Sequence, residues 1–508
     1  MGRIRDDYHA DRSARLTPMH LSRATLADLP ATIARPRFDP AKVTAGIVHL
    51  GFGGFHRAHM ARYTHDLMDR RADAAEWGIV GVGPLAADVR VRDALALQDG
   101  LYALVEQQDG DEAATVIGSV CGVIFAGESS QAALHAIDDP AIRIVSLTVT
   151  ENGYCRNAAT RMLDRDHPSI VHDLAHPDQP RSAVGILVEA YRRRMAAHAP
   201  AFTALTCDNI QHNGVVLRDA VLTLAGWRDQ ALADWIAANA SFPSTMVDRI
   251  TPVTTPAQVE DFTARFELVD RWPIFCERFR QWVIEDDFVA GRPAWEEVGA
   301  QFVADVAPYE FMKLRLLNAS HLAIAGLGRL MGYVYIDETI RDPALRSFMR
   351  ALMDRETGPT LPAVPGVDLD GYKTQLVERF GNAAIKDTVD RVNADAPINL
   401  LLEPIRDRLA AGASVDLLTL ALAAWMRRAT GVDESGNRIS VVHPLADLLR
   451  ERANAGGPDP LPLLSIRKVF GDLIDHGAFV ATLKAWLTSL CADGAAATLS
   501  SARRTLNF

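Results

Sequence analysis

Cysteine is scarce in this chain of 508 residues: Cys121, Cys155, Cys207, Cys276 and Cys491 are widely spaced, odd in number and contain no C-x-x-C pair. Such a set argues against a disulfide framework or a structural zinc site and fits reduced thiols in a cytoplasm. Long apolar runs are also missing. The most apolar stretch, residues 322–336, is too short for a membrane span and carries Arg329. The first forty residues hold Arg3, Arg5, Arg12 and Arg15 without an apolar segment, so they do not read as a secretory signal. There is no long basic run, and a net charge of −11 argues against a nucleic-acid surface. No internal repeat and no low-complexity segment interrupts the chain. Lysine is the last shortage: of 53 Lys+Arg only six are lysine, namely Lys42, Lys313, Lys373, Lys386, Lys468 and Lys484.

What remains is a soluble globular composition long enough for two domains, and small-molecule chemistry is the expectation. Residues 45–50, Ala-Gly-Ile-Val-His-Leu, read as a short apolar strand and lead directly into Gly51-Phe52-Gly53-Gly54-Phe55-His56-Arg57. From Gly54 to about Arg70 the apolar spacing becomes helical. A strand, a glycine turn and a helix open a dinucleotide-binding unit, in which Gly51 and Gly53 let the backbone turn and approach a pyrophosphate. The pattern is G-x-G-x-x-H, with His56 in place of the third glycine, so by itself it reads equally well as a turn without a ligand. A second buried run, residues 77–83, ends just before Asp88, where a carboxylate can receive the ribose hydroxyls of NAD and repel the 2′-phosphate of NADP. Arg90 and Arg92 stand close enough to oppose that preference.

Further β-type runs lie at residues 101–107, 115–125, 142–150 and 202–206, followed by the polar cluster Cys207-Asp208-Asn209 and a long helical stretch from Val215 to Ala240. After Pro293 the periodicity is helical, with no further β-alternation and with helices expected at 308–327, 342–355, 369–380, 401–411, 415–430, 444–453 and 480–493. The expected plan is α/β: an extension over 1–40, loose over 1–18, a Rossmann-type mostly parallel sheet domain over 41–295, and an all-helical domain over 296–508.

The helix beginning at Pro308 carries the most unusual lysine. At about 100° per residue, Lys313, His321 and Asn318 fall at about 0°, 80° and 140°, on one side of an otherwise apolar helix. An arginine stays protonated, whereas a desolvated lysine can approach neutrality and accept a proton from a substrate. The bland reading is a stem packed on the helix with its head paired to Glu310.

Together these pieces resemble the long-chain, metal-independent mannitol dehydrogenase family, which includes polyol 2-dehydrogenases and hexuronate reductases such as fructuronate reductase. The resemblance is carried by residues 51–59, by Ser146-Leu147-Thr148-Val149-Thr150-Glu151, by Cys207-Asp208-Asn209, by Met246-Val247-Asp248-Arg249 and by Lys313-x4-Asn318-x2-His321. It implies a cofactor turn formed by Gly51, Phe52, Gly53, Gly54, Phe55 and Arg57. It implies Lys313 as general base, Asn318 and Asn209 as hydrogen-bond donors to the developing alkoxide, and His321 as the group that orients the substrate hydroxyl. Glu310 would gate proton exchange with solvent, while Asp248 and Arg391 would bind the polyol chain. The implied protein is a cytoplasmic monomer using NAD and no metal on a polyol, ketose or hexuronate.

The chain departs from the family pattern at Asn399, where mannitol-oxidising members usually carry lysine, and this leaves the substrate open. The segment from Met19 to Tyr63 looks more like those members, whereas residues 281–286 and 299–303 look more like fructuronate reductases. Tyr309-x3-Lys313 also matches the Tyr/Lys pair of short-chain dehydrogenases, although those chains are about half as long. A nucleotide- or sugar-binding protein that has kept the fold without the chemistry is the remaining alternative.

Overall fold

The computed structural model describes residues 18–83, 85, 88–127, 129–157 and 160–508, with the side chain of Asp395 left aside. The expected loose segment 1–18 lies almost wholly outside these residues. Contacts divide the chain into two compact units, one running to Gln107 and resuming over Asp111–Ala304, the other comprising Gln108–Gly110 and Asp305–Phe508.

The first unit is built on five parallel strands: β1 (Ala45–Leu50), β2 (Gly78–Gly83), β3 (Val120–Phe125), β4 (Ile144–Leu147) and β5 (Thr203–Thr206). Their spatial order is β3-β2-β1-β4-β5. Ile47 and Val48 of β1 and Ile144 and Val145 of β4 are fully buried, as strands covered on both faces require. Strand order reverses between β1 and β4, which pair from Ile47↔Ile144 to Leu50↔Leu147. In open α/β sheets a ligand crevice lies beyond the carboxyl ends of strands at such a reversal.

Several expectations need correction here. The run over 115–125 is two strands, because Gly118 and Ser119 separate β3 from Asp111–Ile117, which belongs to a different, four-stranded sheet. The helix after the glycine turn is offset at His59, giving Gly54–Ala58 and Met60–Arg70. The stretch from Val215 to Ala240 is two helices, Asn213–Arg228 and Gln230–Asn239, because extended Asp229 caps the second by accepting the Ala231 N–H at 2.9 Å. Within the segment placed in the extension, Met19–His20 pairs with Leu268–Val269 and Ile33–Ala34 pairs with Asp111–Ile117. A β-strand also follows Pro293: Gln301–Val303 pairs with Gln281–Glu285.

The second unit is helical over Asp305–Phe508. Leu369–Phe380 forms at the expected bounds, capped by the Asp368 carboxylate, which accepts the Asp370 N–H. Short Val389–Asp395 and C-terminal Gly494–Leu506 are helices that apolar spacing does not single out. Among the described residues no helix is long and apolar enough to cross a membrane. The architecture is therefore a Rossmann-type parallel sheet domain followed by a mostly helical region.

Candidate active site

In the first unit the glycine turn closes over the end of β1. The Gly51 and Phe52 N–H groups both donate to the Val82 carbonyl, at 2.9 and 3.2 Å, and Gly53 N–H donates to Gly51 O at 2.7 Å. Gly51 sits at φ +92°, and a Cβ there would meet the Thr148 carbonyl oxygen at 2.1 Å, so this position accepts only glycine. Gly53 differs: a Cβ would find nothing nearer than 3.8 Å, and the residue is exposed, which leaves room for a pyrophosphate to approach. Phe52 is buried against Gly81 of β2, and the Phe55 ring stacks on His59 at 4.9 Å. Arg57 does not face outward. The residue is 1% exposed, and its guanidinium donates to the Trp272 carbonyl at 2.9 Å and lies against the Phe52 and Tyr102 rings. Asp88 lies beyond β2, half-buried against Gly83, and its carboxylate accepts the Leu85 N–H at 2.8 Å.

Buried histidines brace this turn from behind. The Thr148 hydroxyl donates to Gly51 O at 2.7 Å, and its oxygen lies 2.8 Å from His49 Nε2. All three groups are satisfied if His49 carries its proton on Nε2 and accepts from the Ser146 hydroxyl at Nδ1, also at 2.8 Å. Burial holds His49 near pKa 3, in line with a neutral ring. His56 stacks on it at 3.4 Å and is likewise held well below its ordinary value, by burial and then by His49.

Beyond β4 the backbone is strained. Thr150, exposed and β-branched, adopts φ +62° and ψ 172°, a region that costs a non-glycine residue on the order of 1–3 kcal/mol. The Asp208 carboxylate, beyond β5, holds it there: Oδ1 accepts Thr150 N–H at 2.8 Å, and Oδ2 accepts Val149 N–H at 3.1 Å and the Tyr154 hydroxyl at 2.8 Å. Bonds to a carboxylate are worth about 1.5–3 kcal/mol each, enough to offset the strain. Asp208 is 6% exposed, whereas Asn209 next to it is exposed. Asp248 ends the strand Thr245–Asp248 and is buried, beside an Arg249 guanidinium that bonds the Ala58 and Glu277 carbonyls and the Glu106 carboxylate.

In the second unit the singled-out residues occupy one helical run, Ala307–Met312, Lys313–Asn318 and Ala319–Leu330. The middle segment is a π-helix rather than α: the Ala319 N–H reaches back five residues to the Leu314 carbonyl. This changes the expected angles. Residues five apart, such as Lys313 and Asn318, lie closer on the helix face than the α-helical 140° allows. Glu310, Lys313 and His321 are buried and Asn318 is half-buried. The Tyr309 hydroxyl donates to the Pro365 carbonyl at 2.8 Å, tying the tyrosine of the Tyr/Lys pair to the backbone. His321 stacks on Phe380 at 4.3 Å, and its Nε2 lies 3.7 Å from Asp387. The same carboxylate takes both arms of the Arg391 guanidinium. Asn399 is exposed at the first position of the helix Asn399–Ala410.

Asp208, Thr150 and Asp387 are missed by the motif reading as separate functional candidates. The acid four residues before Arg391 is the one signal that could have exposed Asp387. Among the described residues no three His, Cys, Asp or Glu side chains stand together as a metal site would need.

The chain matches the Mannitol dehydrogenase Rossmann domain over residues 45–297 and the Mannitol dehydrogenase C-terminal domain over residues 305–491. It is 43% identical to the D-mannonate oxidoreductase of Escherichia coli, with 93% of this chain and 98% of that protein covered. It is 39% identical to the mannitol 2-dehydrogenase of Phaeosphaeria nodorum, over 97% and 90% respectively. The solved ternary complex of Pseudomonas fluorescens mannitol 2-dehydrogenase with NAD and D-mannitol superposes with a TM-score of 0.85 at 41% identity, over 95% of this chain and 99% of that one. The chain therefore belongs to the mannitol dehydrogenase family of oxidoreductases.

Proposed function

We propose that this protein is an NAD-dependent, metal-independent polyol 2-dehydrogenase that interconverts a mannitol-like sugar alcohol and its ketose. The observation that carries the reading is the buried Lys313 one π-turn from Asn318, with His321 beyond, in a chain 41% identical to a mannitol 2-dehydrogenase in complex with NAD and D-mannitol. The first unit fits the cofactor through the Gly51 turn, the open backbone at Gly53 and the Asp88 carboxylate for the ribose hydroxyls, which favours NAD over NADP. Phe52, Gly54, Phe55 and Arg57 shape that turn. NAD, when bound, supplies the nicotinamide that accepts hydride from the carbinol carbon.

The chain's own part is proton handling and positioning. Lys313 Nζ takes the hydroxyl proton. Asn318 and Asn209 Nδ2 donate to the alkoxide oxygen, Asn209 being assigned on the family motif. His321 orients the hydroxyl, Glu310 passes the proton between Lys313 and solvent, and Asp248 and Arg391 bind the remaining hydroxyls. Asp387 offsets the charge of Arg391, which suits a neutral polyol better than a carboxylate. Domains over 41–295 and 296–508, a monomeric state and a cytoplasmic location complete the proposal.

A second reading, reduction of a hexuronate, is favoured by the 43% identity to D-mannonate oxidoreductase. Following NADH with a panel of polyols, ketoses and hexuronates separates the two. Turnover of mannitol-like polyols that survives prolonged chelation is expected; turnover of uronates alone would replace the first reading with the second, and loss of activity on chelation would overturn metal independence.

A further inference from the structure

We propose that Asp208 is a positioning residue: its carboxylate clamps the Val149–Thr150 turn and so fixes both the edge of β4 and the backbone from which Asn209 projects. This rests on the role proposed for Asn209.

Three observations converge on this carboxylate. Its acceptor positions are committed to the first unit's ligand-facing edge, since the Val149 and Thr150 N–H groups follow β4, one of the two strands at which the sheet order reverses. Its environment is directional throughout: Asp208 N–H donates to Thr206 Oγ1 at 3.3 Å, that hydroxyl meets the Tyr154 oxygen at 2.6 Å, and Tyr154 donates to Asp208 Oδ2. Lastly, the loop that displays Asn209 is pinned from its other side. Fully buried Asn213 donates to the Asp208 and Thr245 carbonyls, each at 2.9 Å, and accepts from Thr245 N–H at 2.9 Å.

The strained residue shows what the clamp is for. An exposed threonine at φ +62° has no packing to keep it there, and Gly153 closes the turn so tightly that a Cβ would lie 2.6 Å from the Val149 side chain. Without the carboxylate the Val149 and Thr150 N–H groups lose their acceptor, and although the Gly153 N–H still donates to the Thr150 carbonyl at 3.0 Å, the strained peptide and the backbone paired with it through Asp208 can shift. Burial pushes the Asp208 carboxyl above its ordinary value while the hydrogen bonds from Tyr154, Val149 and Thr150 pull it back. These donors oppose the cost of burying the carboxyl, so removing them loosens the clamp.

The test uses the full chain with Asp208→Asn, Thr150→Gly, the double variant and Asn209→Ala, measuring kcat, KM, the NADH dissociation constant, melting temperature and hydrogen exchange over residues 144–154. Asp208→Asn is expected to lower kcat at least about tenfold per folded molecule, with KM and NADH affinity within about threefold, and to speed exchange at Val149 and Thr150. Thr150→Gly in that background should recover several-fold in kcat, because glycine takes the same φ without strain. Wild-type kcat in Asp208→Asn, or no recovery in the double variant, overturns the inference. Should Asp208→Asn fail to fold, Tyr154→Phe, which removes one donor from the same oxygen, should lower kcat about two- to fivefold, and an unchanged kcat is equally fatal. Asn209→Ala separates the two claims: unaltered turnover there overturns the role of Asn209 and this inference with it, whereas impaired turnover beside an intact Asp208→Asn overturns positioning alone.

Discussion

The two units hold their candidate residues by different means. In the first they lie on loops beyond strand ends, and the side chains that fix them come from distant sequence: His49 reaches Ser146 and Thr148, and Asp208 reaches Val149 and Thr150. In the second, Glu310, Lys313, Asn318 and His321 share one helical run, where spacing is set by the backbone hydrogen-bond register. A loop site depends on single side-chain hydrogen bonds and fails one bond at a time. A helical site depends on register, so its side chains can be exchanged for function without moving their neighbours.

The largest effect is expected where this contrast is sharpest. Lys313→Ala should lower polyol oxidation by about 10²–10⁴-fold, as loss of a general base does, while leaving NADH binding intact. Steady-state kinetics beside an NADH fluorescence titration checks this, and unchanged turnover would remove Lys313 from the chemistry.

Gly51→Ala attacks the loop side instead. With φ at +92° and the Thr148 carbonyl in the way, the turn must shift, and NADH affinity should fall about tenfold or more, the equivalent of roughly 1.4 kcal/mol. An alanine variant that binds NADH like the parent would show that the turn is not the cofactor cradle.

Acid should also weaken the first unit. Burial holds His49, His59 and His65 near pKa 3, against 6.5 in an unfolded chain. Below pH 6.5 the unfolded chain therefore binds protons that the folded chain refuses. Stability is fully present above that pH and declines towards pH 3, by up to about 1.4 kcal/mol per pH unit for each histidine. Denaturant melts between pH 7 and 4 measure the slope, and a flat profile would contradict the neutral, buried rings.

The smallest effect is expected at Asp387→Asn. Half-exposed Arg391 loses a charged partner in a partly solvated setting, so substrate KM should rise about three- to tenfold with kcat little changed. A collapse of kcat would instead mean that the carboxylate acts mainly through His321.

How much of this was legible in the sequence follows from the same contrast. The alternation of apolar strands with a glycine turn marks β1, β2, β4 and β5, and apolar periodicity marks most helices of the second unit, because burial on a fixed face leaves a periodic trace. Two-residue strands such as Met19–His20 are too short to leave one, and their pairing with Leu268–Val269 is a tertiary fact. Lys313, Asn318 and His321 stand out as polar residues on an apolar helix, yet α-helical spacing misplaces their angular relation because nothing in residues 313–318 announces a π-turn. Asp208 was visible as a polar neighbour of Asn209, but its bonds to a turn 58 residues away were not.

The π-turn also bears on how this chain can change in length. A π-turn holds one more residue than the α-turn it replaces, so deleting a residue between Lys313 and Asn318 would restore α geometry and rotate everything beyond it by about 100°. Residues Ala319–Gly328 are buried without exception, with Gly326 against Ala424 and Trp425, so this rotation would have to repack the whole surround. Substitutions can be absorbed there one at a time, but insertions and deletions cannot.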